Sequence, residues 1–149
     1  SVYGSLTYTN SRIEQNLRTG LATFENTAGK QFPDTPNWMA GAALQYRDGP
    51  WSTSLSAKYT GARYSTLVND EKVGGFTLYS FDAGYHLPSA GIFRDPTLRF
   101  NIYNLSNTNY LYLTSLSSFT TRALGAGGSA PSYYIGAPRT FSLLLHSDF

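Results

Sequence analysis

From Trp51 to Gly61 polar and apolar side chains alternate almost without a break. Ser52, Ser54, Ser56, Lys58 and Thr60 fall on one side, and Trp51, Leu55, Ala57 and Tyr59 on the other. A helix repeats every 3.6 residues and cannot separate these two sets. A strand repeats every two and separates them completely. The segment is therefore a strand with one wet face and one oily face, its apolar row beginning and ending on an aromatic ring.

Five more segments carry the same period. In Val2 to about Ile13, Val2, Gly4, Leu6 and Tyr8 oppose Ser5, Thr7 and Thr9. In Asn37–Arg47, Trp38, Ala40, Ala42, Leu44 and Tyr46 alternate with Met39, Gly41, Ala43, Gln45 and Arg47. In Phe76–Leu87, Tyr79, Phe81, Ala83, Tyr85 and Leu87 oppose Ser80, Asp82, Gly84 and His86. In Thr97–Leu105, Leu98, Phe100 and Ile102 oppose Arg99, Asn101 and Tyr103. The last segment, Gly136–Phe149, sets Phe141, Leu143, Leu145 and Phe149 against Thr140, Ser142, His146 and Asp148. Composition agrees: charged residues are only 13% of the chain and tyrosines number 12, a bias toward strands rather than helices. There is no cysteine, hence no disulfide and no thiolate metal site. The net charge of +2 is scattered, which argues against a nucleic-acid partner.

The connections between these strands run long, short, long, short, long. The short ones are Asp48-Gly49-Pro50 and Pro88–Pro96; the long ones are 14–36, 62–75 and 106–135. Segregation of loop length to one end is the pattern of outer-membrane barrels, with short periplasmic turns and long extracellular loops. No run of about 18 apolar residues is present, and barrel strands need none. The expected fold is all-β: an antiparallel transmembrane β-barrel segment of about six strands. Its apolar faces suit a lipid-facing band flanked by aromatic girdles. Trp38, Tyr59 and Tyr79 mark the outer interface, and Tyr46, Trp51, Tyr85 and Phe149 the inner one. The competing arrangement is a β-sandwich whose second sheet covers the same faces. Six strands cannot close around a wet lumen, since even eight leave room for little more than side chains. Either further strands lie upstream, as an opening in mid-strand leads one to expect, or several copies close one barrel. The second case would make the chain a small oligomeric barrel or an adhesin-like binding module.

Specific residues point to a family. Leu98-Arg-Phe-Asn-Ile-Tyr-Asn-Leu-Ser-Asn107, followed by Tyr110, resembles a segment of TonB-dependent outer-membrane receptors in which Asn104, Leu105, Asn107 and Tyr110 are the motif positions. Gly136-Ala-Pro138-Arg139 leading to a terminal Phe149 resembles that family's closing strand. Asp34-Thr-Pro-Asn-Trp38 is similar to its entry into a descending strand, and Asp82–Tyr85 matches more loosely. The resemblance spans nearly the whole chain, residues 1–149. It implies the C-terminal part of a barrel of roughly 22 strands, with the plug domain and TonB box lying outside this sequence. It implies uptake of ferric siderophores or a similarly scarce nutrient, driven by TonB. It also implies contacts with outer-membrane lipid and lipopolysaccharide, with the rest of the barrel and plug, and with the barrel-assembly machinery through the last strand. No cofactor is implied, because iron would arrive only inside its siderophore.

Catalytic patterns are weak. Gly125–Gly128 lacks a strand–turn–helix context and a following Lys-Ser/Thr. His86 and His146 each share a polar face with a carboxylate, Asp82 and Asp148, but no third ligand or nucleophile accompanies them. No serine sits in Gly-x-Ser-x-Gly. The chain is read as a non-enzyme. Ligand contact falls to the long loops, where Tyr64, Tyr110, Tyr112, Phe119, Arg122, Tyr133 and Tyr134 offer aromatic faces and a cation.

Overall fold

The computed structural model describes residues 1–114 and 131–148. Phe149, with Phe119, Arg122 and the Gly125–Gly128 run, lies outside the described residues. In chain order the strands are β1 (Val2–Tyr8), β2 (Leu17–Arg18), β3 (Phe24–Glu25), β4 (Trp38–Asp48), β5 (Trp51–Thr60), β6 (Arg63–Tyr64), β7 (Lys72–Val73), β8 (Phe76–His86), β9 (Arg94–Tyr103), β10 (Leu111–Thr114), β11 (Tyr133–Ile135) and β12 (Thr140–Asp148). Six of them form one antiparallel sheet in the order β1-β4-β5-β8-β9-β12, a meander open at both edges. Among the described residues there is no helix.

The register makes the six apolar rows continuous. Leu44 pairs with Val2 on one side and Leu55 on the other, and Leu55 pairs with Phe81. Phe81 faces Ile102, which faces Phe141. A one-residue slip at any ladder would turn a whole strand inside out; the one shift in this sheet comes at the last residues of the β9–β12 ladder, past the apolar rows. β4 has 11 residues, about 36 Å of strand, which at a tilt near 45° spans the roughly 25 Å apolar band of a barrel. Leu6, Leu44, Leu55, Leu143 and Leu145 on this face are all exposed. Aromatic rings stand at both ends of the band. Tyr8 and Trp38 meet at 4.8 Å at the long-loop end, where Tyr59 and Tyr79 also lie. Trp51 and Tyr85 meet at 4.4 Å at the short-turn end, near Tyr46.

Among the described residues no second sheet covers this face. The accessible surface is 10064 Å², against roughly 7,500 Å² for a globular monomer of this mass. The only buried large apolar side chains among the described residues are Val73, Leu78 and Tyr110. A sandwich would bury many more.

Apart from shifts of one or two residues at other strand ends, the boundaries and loops differ from the sequence expectation in four places. β1 stops at Tyr8 instead of running to about Ile13. Past Thr9 the chain leaves the sheet and pairs with its own loop, Arg12 bridging Gln31 and Ile13 N–H bonding Lys30 O at 2.9 Å. β9 begins at Arg94, not Thr97. Pro96 lacks an N–H, yet its carbonyl accepts from Leu87 N–H at 2.8 Å, and a register shift between His146 and Asp148 carries β12 past it. β12 begins at Thr140, not Gly136, because residues 136–139 are held elsewhere. The three long connections are not irregular throughout. Each contains a two-stranded ribbon, β2–β3, β6–β7 or β10–β11.

The short β4–β5 turn follows from its two residues. Gly49 takes φ +52, which two-residue hairpins require at their first position. Pro50, fixed at negative φ, selects the type II′ form.

Candidate functional site at the long-loop end

The interior of this molecule sits under its loops. Apart from Leu78 and Pro96 on the sheet, the buried side chains among the described residues belong to loops and ribbons, with Thr27, Arg63, Ser65, Thr66, Val73, Asn104 and Tyr110 joined by Pro33, Pro36 and Pro131.

Asn104 organises the last loop. It is fully buried at φ +53, a left-handed backbone that Asn tolerates better than most residues. Its Nδ2 donates to Thr108 O at 2.9 Å and Ala137 O at 3.1 Å, and its Oδ1 accepts from Thr108 N–H at 2.9 Å. Asn107, also at φ +53, accepts from Arg139 N–H at 3.0 Å. Gly136 N–H bonds Tyr110 O at 2.8 Å, and a Cβ at Gly136 would stand 2.1 Å from the Tyr110 ring. The Asn-Leu-Ser-Asn and Gly-Ala-Pro-Arg segments are thus one clasp that returns the chain to the sheet. Leu105 N–H extends the ladder by bonding Tyr79 O at 2.8 Å.

Tyr110 is 8% exposed. Its ring packs on Phe76 at 4.4 Å, and its hydroxyl shares a hydrogen bond with Tyr103 at 3.1 Å. Burial, with the Tyr103 hydroxyl adding to it, raises its pKa to about 12.

Arg63 ties three loops together. It is 3% exposed and pairs through Nε with Asp34 of the first loop. Its Nη2 donates to Leu111 O at 2.9 Å and Tyr112 O at 2.7 Å in the third. Asn69 adds a second bridge, accepting from Gln31 N–H at 2.7 Å and donating to Gln31 O at 2.8 Å. Tyr133 hydroxyl donates to Ser65 Oγ at 3.1 Å and also reaches Glu71. Arg63, Asn69 and Phe76 were not singled out from the sequence as site residues, and Asp34 only as the start of a strand-entry motif. The usable signal was Asp34 and Asn69 as residues that tolerate positive φ in turns; nothing local marks Arg63.

The loop aromatics divide. Tyr110 and Tyr133 are engaged inside the cluster. Tyr64 is half-buried, its carbonyl accepting from Asp34 N–H at 2.8 Å. Tyr112 and Tyr134 are 64% and 66% exposed. Beside them an open cavity of about 550 Å³ is lined by Val73, Phe76, Asn109, Tyr110, Leu111 and Ile135. It is an apolar and aromatic recess with an amide on its wall, suited to a ligand with flat apolar surface. Among the described residues no cluster of His, Asp or Glu is arranged for a metal.

The sequence profile of the TonB-dependent receptor-like β-barrel matches residues 1–105. The chain belongs to the TonB-dependent receptor β-barrel family. No curated protein matches it. Among solved structures it is similar to the ferric citrate transporter FecA in its unliganded form, at 20% identity and TM-score 0.73, covering 95% of this chain and 20% of FecA. The siderophore receptor PiuA from Acinetobacter baumannii matches at 20% identity and TM-score 0.71, with 97% and 19% covered. The ferric-catecholate import receptor Fiu from E. coli K12 matches at 21% and 0.61, with 97% and 18% covered. These structures share the fold of the antiparallel meander described above, and the chain spans about a fifth of each solved chain. The clasp between Asn107 and Arg139 lies beyond the matched profile.

Proposed function

We propose that this chain is the C-terminal wall of an outer-membrane receptor that imports a ferric siderophore or comparable scarce nutrient with energy supplied through TonB. The observation that carries it is the unbroken apolar face: six strands in register, tall enough for a bilayer, bounded by aromatic rings and left uncovered by the rest of the described residues. In this reading the apolar face meets lipid and the polar face lines the lumen. The long loops lie outside the cell, where Tyr64, Tyr112 and Tyr134, with Phe119 and Arg122, meet the cargo, while Tyr110 and Tyr133 hold the loops that present them. Arg139, whose guanidinium lies 5.8 Å from the Phe141 ring centre, sits at the outer headgroup level against lipopolysaccharide. The plug and TonB contacts belong to parts of the polypeptide outside these residues, and the last strand serves barrel assembly. Iron is cargo, and the chain performs no chemistry on it.

The test is radioiron uptake by a receptor-deficient Gram-negative strain expressing the intact receptor, across catecholate, hydroxamate and carboxylate complexes. Uptake of at least one complex that disappears when TonB is deleted is the expected result. Recovery of the protein in the soluble fraction, or uptake indifferent to TonB, would overturn the reading.

A further inference from the structure

We propose that Arg63 is the positioning residue of the cargo loops: without touching cargo, it holds a bulge in the β10–β11 ribbon and so aims Tyr112 and Tyr134 as a pair. This rests on the receptor reading, in which those rings meet the cargo, and it names the side chain that sets their geometry.

The ribbon is irregular where the two tyrosines lie. Leu111 pairs with Ile135 and Thr114 with Tyr133, so Tyr112 and Leu113 together oppose the single residue Tyr134. Two residues against one is a β-bulge, which takes side chains out of the strand's alternation and re-aims them. A regular strand sends successive carbonyls to opposite edges. Here the carbonyls of Leu111 and Tyr112, neighbours in sequence, converge on one nitrogen, accepting from Arg63 Nη2 at 2.9 and 2.7 Å. The bulge brings both within reach, and a nitrogen with two hydrogens keeps them there.

Arg63 is itself fixed from two further sides. Its Nε pairs with Asp34, and its guanidinium carbon lies 5.9 Å from the ring centre of Phe76. Phe76 is the first residue of β8, so the cation is tied to the large sheet. Asp34 also donates its N–H to Tyr64 O at 2.8 Å, which places a third cargo ring, next to Arg63 in β6, under the same control. A planar guanidinium fixed in this way passes its rigidity to the carbonyls it binds. Tyr133 acts on the other strand of the ribbon. Neighbours on a strand point to opposite faces. With Tyr133 turned onto Ser65 and Glu71, Tyr134 is turned away from the second loop. Every contact named here lies within the chain. Rings set in place before cargo arrives lose little freedom when they bind it.

In the intact receptor, with cysteines elsewhere replaced, spin labels on Lys72→Cys and Ile135→Cys, both exposed, report the distance between the second and third ribbons. A narrow distribution is expected, and R63Q should broaden it. R63K keeps the charge that Asp34 requires, and with it the fold, but one ammonium cannot hold Asp34 and both carbonyls. It should broaden the distribution in the same way. Uptake is measured with the ferric catecholate, hydroxamate or carboxylate complex that the receptor imports. R63K should raise its half-saturating concentration at least about tenfold while the maximal rate is kept. Because the effect runs through Tyr112, R63K added to Y112A should change little beyond Y112A alone, whereas a general loss of loop structure would add to it. An unchanged distribution in both variants, or additive losses, would overturn the inference. The two readings separate. TonB-dependent uptake with an unmoved ribbon removes the role of Arg63 alone, and a ribbon released by R63K in a protein without TonB-dependent uptake removes the transport reading alone.

Discussion

Asn104 is the residue on which the loop end depends most. Its side chain satisfies three backbone groups while its own backbone takes a left-handed turn. Asn104→Ala would leave those groups unpaired in a buried place and is expected to cost about 3 kcal/mol, read from the urea midpoint of the refolded receptor. Tyr110 makes a second prediction through its raised pKa. Its neutral form is the one that folding favours, so its contribution is complete below pH 10 and is lost as pH rises through about 12. The tyrosinate absorbance difference between wild type and Y110F should therefore appear late, after the exposed tyrosines have titrated. A difference appearing near pH 10 would contradict the buried placement. At this scale the sequence was only half legible. Asn104, Asn107 and Gly136 could be picked out as motif positions, because the chemistry of turns is local. Their partnership could not, since Asn104 meets Ala137 across 33 positions. Arg63 was invisible: Asp34 and Leu111 lie 29 and 48 positions away, and its burial exists only once three loops meet.

At the scale of elements the sequence was most legible, because a strand between oil and water writes its geometry into every second residue. Leu55 and Ser56 test that face assignment directly. Leu55→Arg puts a charge against hydrocarbon and should cost about 2–4 kcal/mol near the midplane, while Ser56→Arg, one residue on, should cost far less. Equal losses in a folding titration would refute the assignment. What the period could not show was where strands end. Those ends are set by Pro96, by the clasp at residues 136–139 and by the loop after Thr9, all of which depend on partners distant in sequence. The ribbons were missed because two to four residues are too few to display any period. The link between them can be probed at Asp34. Asp34→Ala strands a buried guanidinium and should cost about 3–5 kcal/mol, with the three long loops becoming sensitive together to limited proteolysis. Cleavage confined to the first loop would show that Arg63 does not couple them.

For the whole molecule, the distribution of burial among the described residues is inverted relative to a soluble protein, with most large oily side chains outside and buried polar ones such as Arg63 and Asn104 within. The chain has no cysteine, so single cysteines can report on each face. In the receptor reconstituted in bilayers, cysteines at Leu44, Leu55 and Phe81 should react with a lipophilic reagent and resist a charged one, and those at Ser54 and Ser80 should do the reverse. The same reactivity on both faces would mean the sheet is wet on both sides.

The two outer edges of the meander have a consequence for how such a wall can be made. β1 and β12 each present a row of peptide groups with no partner in the sheet. In water those groups are solvated, whereas in hydrocarbon each one left bare costs several kcal/mol. On the proposed receptor reading, insertion is therefore a matter of sequence in time: both margins would have to be paired before, or as, the wall enters the bilayer. A short extended peptide able to bind either margin first would act as a chain terminator for assembly.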